Sequence, residues 1–189
     1  MEDLGLLGRD FYTQPAIKVA KDLLGTFVVR KWRGKEIVGK IVETEVYPDT
    51  NDKASHSYLG RRTTRNEAEY LIGGHVYIYL VYGMYWQFNI TTGLAEMPEC
   101  VLIRALEPLT KENCANGPGK LCQYLKLNKS FYAEDLTASA RIWLLPQKEI
   151  IKPARIVATK RIGIDYAGTY WANRKWRYYL KDNNFVSKK

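Results

Sequence analysis

The sequence predicts a mixed α/β (α+β) fold, a single domain over residues 1–189 with a curved, largely antiparallel sheet and flanking helices. Three observations point there. Strand-like alternation recurs along the chain, the breaks between such segments are short and turn-like, and helical periodicity is confined to a few short runs. With 189 residues, 46% hydrophobic and 26% charged, the chain is long enough to bury a core without a disulfide or metal staple. Cys100, Cys114 and Cys122 are odd in number and form no CxxC pair. They suggest no disulfide framework and fit a reducing, intracellular setting, cytoplasm or nucleoid.

In chain order, Thr13-Gln14-Pro15 opens an apolar-periodic helix through Ala16, Val19, Ala20, Leu23 and Leu24, ended by Gly25. Residues 26–32 and 36–47 read as strands of a hairpin around Arg33-Gly34-Lys35, and residues 48–62 are polar and irregular. Thr64-Arg65-Asn66-Glu67 has the pattern of a capping box before a short helix stopped by Gly73-Gly74. Residues 76–82 and 85–91 alternate around Gly83 as a second, aromatic-rich hairpin. Residues 100–106 predict a strand, 119–125 a helix, and 142–145, 155–159 and 176–180 short strands. The uncharged stretch 76–95 has the length of a membrane span, but Gln87, Asn89, Thr91, Thr92 and its tyrosines interrupt it. No membrane segment is expected, and the start of the chain carries no basic-then-apolar leader pattern.

The net charge of +9 is uneven. Residues 1–110 hold 13 basic and 14 acidic side chains, net −1, whereas 111–189 hold 16 and 6, net +10. A polyanion such as nucleic acid is the natural partner of such a field, although a basic protein without one has the same arithmetic.

Two strands carry residues that defy their pattern. In Ile41-Val42-Glu43-Thr44-Glu45-Val46-Tyr47, alternation puts Glu43, Glu45 and Tyr47 on one face. That face is either ordinary solvent-exposed strand or a cleft holding a general base beside a ring able to stack a flat ligand. Arg104 sits inside Val101-Leu102-Ile103-Arg104-Ala105-Leu106, apolar on both sides, and an internal Arg calls for an internal carboxylate, Glu45 or Glu43. A structural ion pair and a catalytic one fit equally at this point. Tyr82-Gly83-Met84-Tyr85 places large side chains at a tight turn, where a wedge between base pairs could form, and Asn89 lies among rings on the returning strand. Neither His56 nor His75 belongs to a zinc-deaminase set, and no phosphate-binding Gly loop or GxSxG elbow is present. No metal or cofactor is expected.

At these residues the sequence resembles the alkyladenine (3-methyladenine) DNA glycosylase family, mammalian type. The resemblance is carried in order by Phe11-Tyr12-Thr13-Gln14-Pro15, Glu43-Thr44-Glu45-Val46-Tyr47, His56-Ser57, Tyr77-Ile78-Tyr79, Tyr82-Gly83-Met84-Tyr85, Asn89-Ile90, the Arg104 strand, Gly117-Pro118-Gly119-Lys120 and Arg161-Ile162-Gly163. It implies that Glu45 activates water, with Arg104 and the main-chain carbonyl of Ile162 holding that water. Tyr47, His56 and Tyr79 would wall a pocket around a flipped base, with Asn89 screening against normal guanine. Tyr82, with Met84 beside it, would fill the gap in the duplex. It further implies a monomer without metal that excises damaged purines from double-stranded DNA. Val46 stands where the family has Ala, and segments 93–99 and 109–116 are shorter than in vertebrate relatives. Two rival readings are a non-catalytic damaged-DNA-binding module, which needs no acidic face paired with an internal Arg, and a nucleoside hydrolase acting on small molecules.

Overall fold

The apolar-periodic run forms α2 (Ala16–Asp22), whose Val19 and Ala20 are fully buried, and a one-turn helix that periodicity does not reveal, α1 (Arg9–Tyr12), precedes it. The computed structural model describes residues 5–109, 114–147 and 150–189, so part of segment 109–116 lies outside the described residues. Gly25 closes α2's exit at φ 89°, where a Cβ would also meet the Gln147 Oε1 at 2.7 Å.

From there β1 (Phe27–Trp32) pairs antiparallel with the long β2 (Lys35–Tyr47). Arg33 and Gly34, at φ 49° and 77°, make a two-residue turn whose twist suits a hairpin. The second hairpin is β3 (Val76–Val81) with β4 (Tyr85–Thr91), followed by β5 (Cys100–Pro108). Next come α3 (Pro118–Tyr124), β6 (Ile142–Leu145), β7 (Ile156–Thr159), α4 (Thr169–Ala172) and β8 (Arg177–Leu180). The strand order is β3-β4-β5-β2-β1-β6, with β8 added to β2 and β7 to β8. Every pairing is antiparallel and the sheet stays open, so the expected fold class is the one observed.

The strand that positions the site is β2, which pairs with β5 along one edge and with β8 at Glu43 to Glu45 along the other. Its register against β5 slips between Ile41 and Thr44, the mark of a bulge, which bends the strand and re-aims its side chains. Ile41 to Val46 are buried on both faces. Val42 and Val46 join the main core, and the Thr44 hydroxyl donates to the Ala20 carbonyl at 2.9 Å. Val46 thus points into packing, away from the carboxylate face, so its departure from Ala is absorbed in the core.

One local expectation fails. The 64–67 stretch forms no capping box, and the segment that follows is a 3₁₀ turn, Glu67–Tyr70, without a side-chain cap. The Asn66 Oδ1 instead accepts from the Thr63 amide and hydroxyl at 2.7 and 2.8 Å, and Glu67 turns outward to Arg62. A side chain able to bond its neighbouring backbone competes with helix initiation, and here Asn66 wins. The aromatic stretch is the β3–β4 hairpin, and among the described residues no helix is long and apolar enough to cross a membrane.

Candidate active site

Alternation along β2 and the pairing with β5 bring Glu43, Glu45 and Arg104 together as the sequence suggested, and the carboxylate face is closed off from solvent. Arg104 donates from Nε to Glu43 at 3.2 Å and from Nη1 to Glu45 at 3.1 Å. Burial alone would lower the Arg104 pKa, but Glu45 and then Glu43 outweigh it and hold the guanidinium above its usual value.

The two carboxylates differ in what surrounds them. Glu43 is saturated: besides Arg104 it accepts from Arg177 Nη1 at 2.7 Å and from the Ser187 amide and hydroxyl at 2.6 and 2.9 Å. Its role is to anchor β8 and the C-terminal segment to β2. Glu45 accepts from the Tyr47 hydroxyl at 2.8 Å, from Arg104, and from the Ile162 backbone N–H at 3.1 Å. The link from Ile162 is therefore an amide that fixes the carboxylate directly. Glu45 lies on a cleft of about 740 Å³ that also takes in Arg104, Tyr47, Tyr79, Tyr82 and Ile162.

Off this cleft opens a smaller polar hollow that shares Tyr47, His56, Tyr79 and Tyr166 with it and reaches Tyr77 and Asn89. His56 meets Tyr79 edge-on at 4.6 Å between centroids, and its Nδ1 is 2.6 Å from the Tyr77 hydroxyl. Burial of the ring, helped by Arg65 and Arg61, lowers the His56 pKa to about 4, so at neutral pH it is an uncharged wall although one edge stays exposed. Burial likewise raises the Tyr47 and Tyr79 phenols, with Glu45 adding to both shifts. Behind Tyr47 stands Arg161, its guanidinium 4.9 Å from the ring centroid and paired to the buried Asp52. Arg161 also donates to the Val46 carbonyl at 3.0 Å, so the 48–56 loop, β2 and the segment entering Ile162 are locked together. Asn89 spends its amide protons on the carbonyls of Tyr77 and Gln87 at 3.1 and 3.2 Å and cannot swing aside freely.

At the rim, Tyr82 and Met84 project into solvent, 86% and 62% exposed. Tyr82 and Gly83 occupy the two central positions of the turn at φ 52° and 70°, a conformation a tyrosine adopts at a cost. Beneath the turn, α3 comes so close that a Cβ on Gly119 would lie 2.8 Å from the Tyr85 ring. Trp86 packs inward against the main core, which accommodates its bulk.

The 10–184 stretch matches the family model described as methylpurine-DNA glycosylase (MPG). The chain belongs to that family. Curated relatives of this glycosylase family member share its length as well as its residues. A protein of Borrelia garinii subsp. bavariensis, named "Putative 3-methyladenine DNA glycosylase", is 43% identical over 188 residues, covering 97% of this chain and 100% of its own. Similarly named proteins of Clostridium novyi and Natranaerobius thermophilus are 44% and 39% identical, covering 97% and 96% of this chain and 98% of their own in both cases.

Of the cations in 111–189, Arg161 and Arg177 are consumed in buried ion pairs, and Arg141 pairs with Glu134. The cleft itself is lined by Arg65 and Lys120, and Lys53 and Arg61 line the adjoining depression. Three of these four come from the half of the chain whose net charge is negative. Also unforeseen were the positions of Tyr166 and Glu69, the latter a buried acid on the hollow, and the role of Arg161 behind Tyr47. Among the described residues, no three His, Cys, Asp or Glu side chains converge as a metal cage requires.

Proposed function

We propose that this glycosylase family member is a monomeric, monofunctional enzyme of base-excision repair. It flips alkylated or deaminated purines (3-methyladenine, 7-methylguanine, hypoxanthine, ethenoadenine) out of duplex DNA. It then hydrolyses the N-glycosidic bond with a Glu45-activated water and leaves an abasic site. The observation that carries the reading is Glu45: a buried carboxylate fixed by three donors on a cleft whose rim bears an exposed tyrosine.

A carboxylate offers about four acceptor sites. Arg104 and the Ile162 amide share Oε2, whereas Oε1 takes the Tyr47 hydroxyl alone and keeps an acceptor site for a water admitted when the enclosed carboxylate opens to the cleft. Water held there can lose its proton to Glu45 as the glycosidic bond breaks. Arg104 and Ile162 fix the direction of the carboxylate, and Tyr47 fixes its other oxygen.

The target sugar is hidden in the base stack, so the nucleotide must be rotated out at a few kcal/mol, least for a damaged or mispaired base. Stacking on Tyr47 and on the His56–Tyr79 wall returns about 1–3 kcal/mol per base–aromatic contact. Tyr82, with Met84 beside it, occupies the vacated place and slows the return of the base. A purine alkylated at N3 or N7 is cationic, is drawn to tyrosine faces, and leaves without an added proton. Asn89, pinned by two backbone bonds, screens against normal guanine by crowding its exocyclic amino group. Arg65, Lys120, Lys53 and Arg61 supply phosphate contacts.

The deciding experiment mixes the protein with a duplex containing one 3-methyladenine and looks for free purine and an alkali-labile site. Tight binding without release would favour the damaged-DNA-binding module. Release from free nucleosides with little salt dependence would favour a small-molecule hydrolase.

A further inference from the structure

Glu69 is a buried acid that the reaction just described does not use. It lies on the 3₁₀ turn Glu67–Tyr70, its side chain on the small hollow of about 40 Å³ that adjoins the cleft and is lined also by Tyr47, His56, Tyr79 and Asn89, the residues proposed to hold the flipped base. Its contacts are few. The Asn66 amide donates to Oε2 at 3.1 Å, and the Cys100 thiol, a weak donor, stands 3.8 Å from Oε1. Among the described residues no ion pair includes Glu69. Glu43 and Glu45, by contrast, are each met by Arg104 and by further strong donors. A carboxylate removed from water with so little compensation is costly, and whatever brings positive charge and N–H donors into the hollow relieves that cost.

We propose that Glu69 is a specificity-determining residue of the base pocket, its carboxylate the negative partner of a purine made cationic by alkylation. The proposal rests on the glycosylase reading and names what selects among the bases that the pocket can hold. An alkylated adenine brings a full positive charge together with an exocyclic amino donor. Hypoxanthine brings neither, so it meets the same carboxyl without satisfying it.

The groups facing Glu69 leave it as the variable charge of the hollow. Burial raises the phenols of Tyr77 and Tyr79, from β3, and the thiol of Cys100, from β5, so all three are neutral near pH 7. Burial also raises Tyr132 on the other side, and His56 at the rim is lowered to about 4 and is likewise uncharged. Arg65 and Glu45 act on Tyr77 and Tyr79 respectively from farther off. Burial pushes the Glu69 carboxyl itself up to about 7, against the opposing bonds from Asn66 and Cys100. Ionisation therefore switches on as pH rises through neutrality, and with it the preference for a cationic base.

The test measures kcat/KM for release of 3-methyladenine and of hypoxanthine from otherwise identical duplexes between about pH 6 and about pH 8.5, for wild type, Glu69→Gln and Glu69→Asp. In the wild type the ratio of 3-methyladenine to hypoxanthine release rises about tenfold across that window, the size of one hydrogen bond to a charged group. Glu69→Gln flattens the ratio, and Glu69→Asp retains its rise. A wild-type ratio that does not change with pH overturns the proposal, and that measurement needs no variant to fold. Equal loss on both bases in Glu69→Gln also overturns it and leaves a merely structural acid. In either case wild-type release of both bases keeps the glycosylase reading intact. Release of neither base by the wild type instead refutes that reading, and the role of Glu69 with it.

Discussion

Replacing Glu45 by Gln tests the proposed base with the smallest change of shape. The amide can turn its oxygen toward Arg104 and the Ile162 N–H, each now 3.1 Å from Glu45, and its nitrogen toward Tyr47, whose hydroxyl then accepts instead of donating. Arg104 keeps its second carboxylate, Glu43, at 3.2 Å. The structural cost is then about that of weakening one charge-assisted bond, 1–3 kcal/mol. The chemical cost is larger, because removing a positioned base lowers the rate by about 10²–10⁴. At 1.36 kcal/mol per decade this adds about 3–5 kcal/mol to the barrier. The assay pairs single-turnover release of 3-methyladenine with binding to the same duplex. The expected result is retained binding with release reduced by that factor. Release within about threefold of wild type, with the variant folded, would refute the assignment of Glu45 as base, since no proton transfer of consequence would then pass through it.

Other consequences are equally specific. Tyr82→Ala should weaken binding to lesion-bearing duplex by about tenfold while leaving single-stranded substrate unaffected, and equal loss on both strands would argue against a wedge. Tyr82→Gly should do the same and at the same time gain stability in urea, since glycine occupies φ 52° without the strain of a side chain. Arg161→Ala should cost about 3–5 kcal/mol in urea unfolding, because it strands the buried Asp52 and frees the back of Tyr47. Glu69 couples stability to pH: its folded pKa of about 7 lies above the ordinary 4.5, so its contribution is complete below about pH 4.5 and is lost as pH rises to about 7. Glu69→Gln should therefore be more stable than wild type at about pH 8, by an amount on the order of 3 kcal/mol, and a wild-type advantage there would contradict the raised pKa.

What could be read from the sequence, and what could not, divides along contact range. Glu45 and Arg104 stood out because charge inside an apolar strand conflicts with its surroundings, and the Tyr82-Gly83 turn because bulk at a hairpin tip conflicts with burial. The strands of the sheet followed from alternation, with ends displaced by a residue or two. The fate of Glu43 was hidden, since Arg177 and Ser187 reach it from the far end of the chain. The same holds for Arg161 with Asp52, 109 residues apart in sequence. Glu69 carried no signal of its own in the sequence. Only the failed capping box, with Asn66 reaching both Thr63 and Glu69, turns it toward the hollow. Net charge, too, counts buried ion-pair partners such as Arg161 and Arg177, which contribute little to an external field.

The central claim, that Glu45 drives water onto the sugar of a flipped purine, meets its most direct test in the mass of the product strand. Stoichiometric wild-type protein is mixed with a duplex bearing one 3-methyladenine, with and without borohydride. The account predicts a strand lighter by the purine and heavier by water, one equivalent of free base, and no protein attached in either sample. A strand of unchanged mass, or a borohydride-trapped protein–DNA adduct, would contradict it.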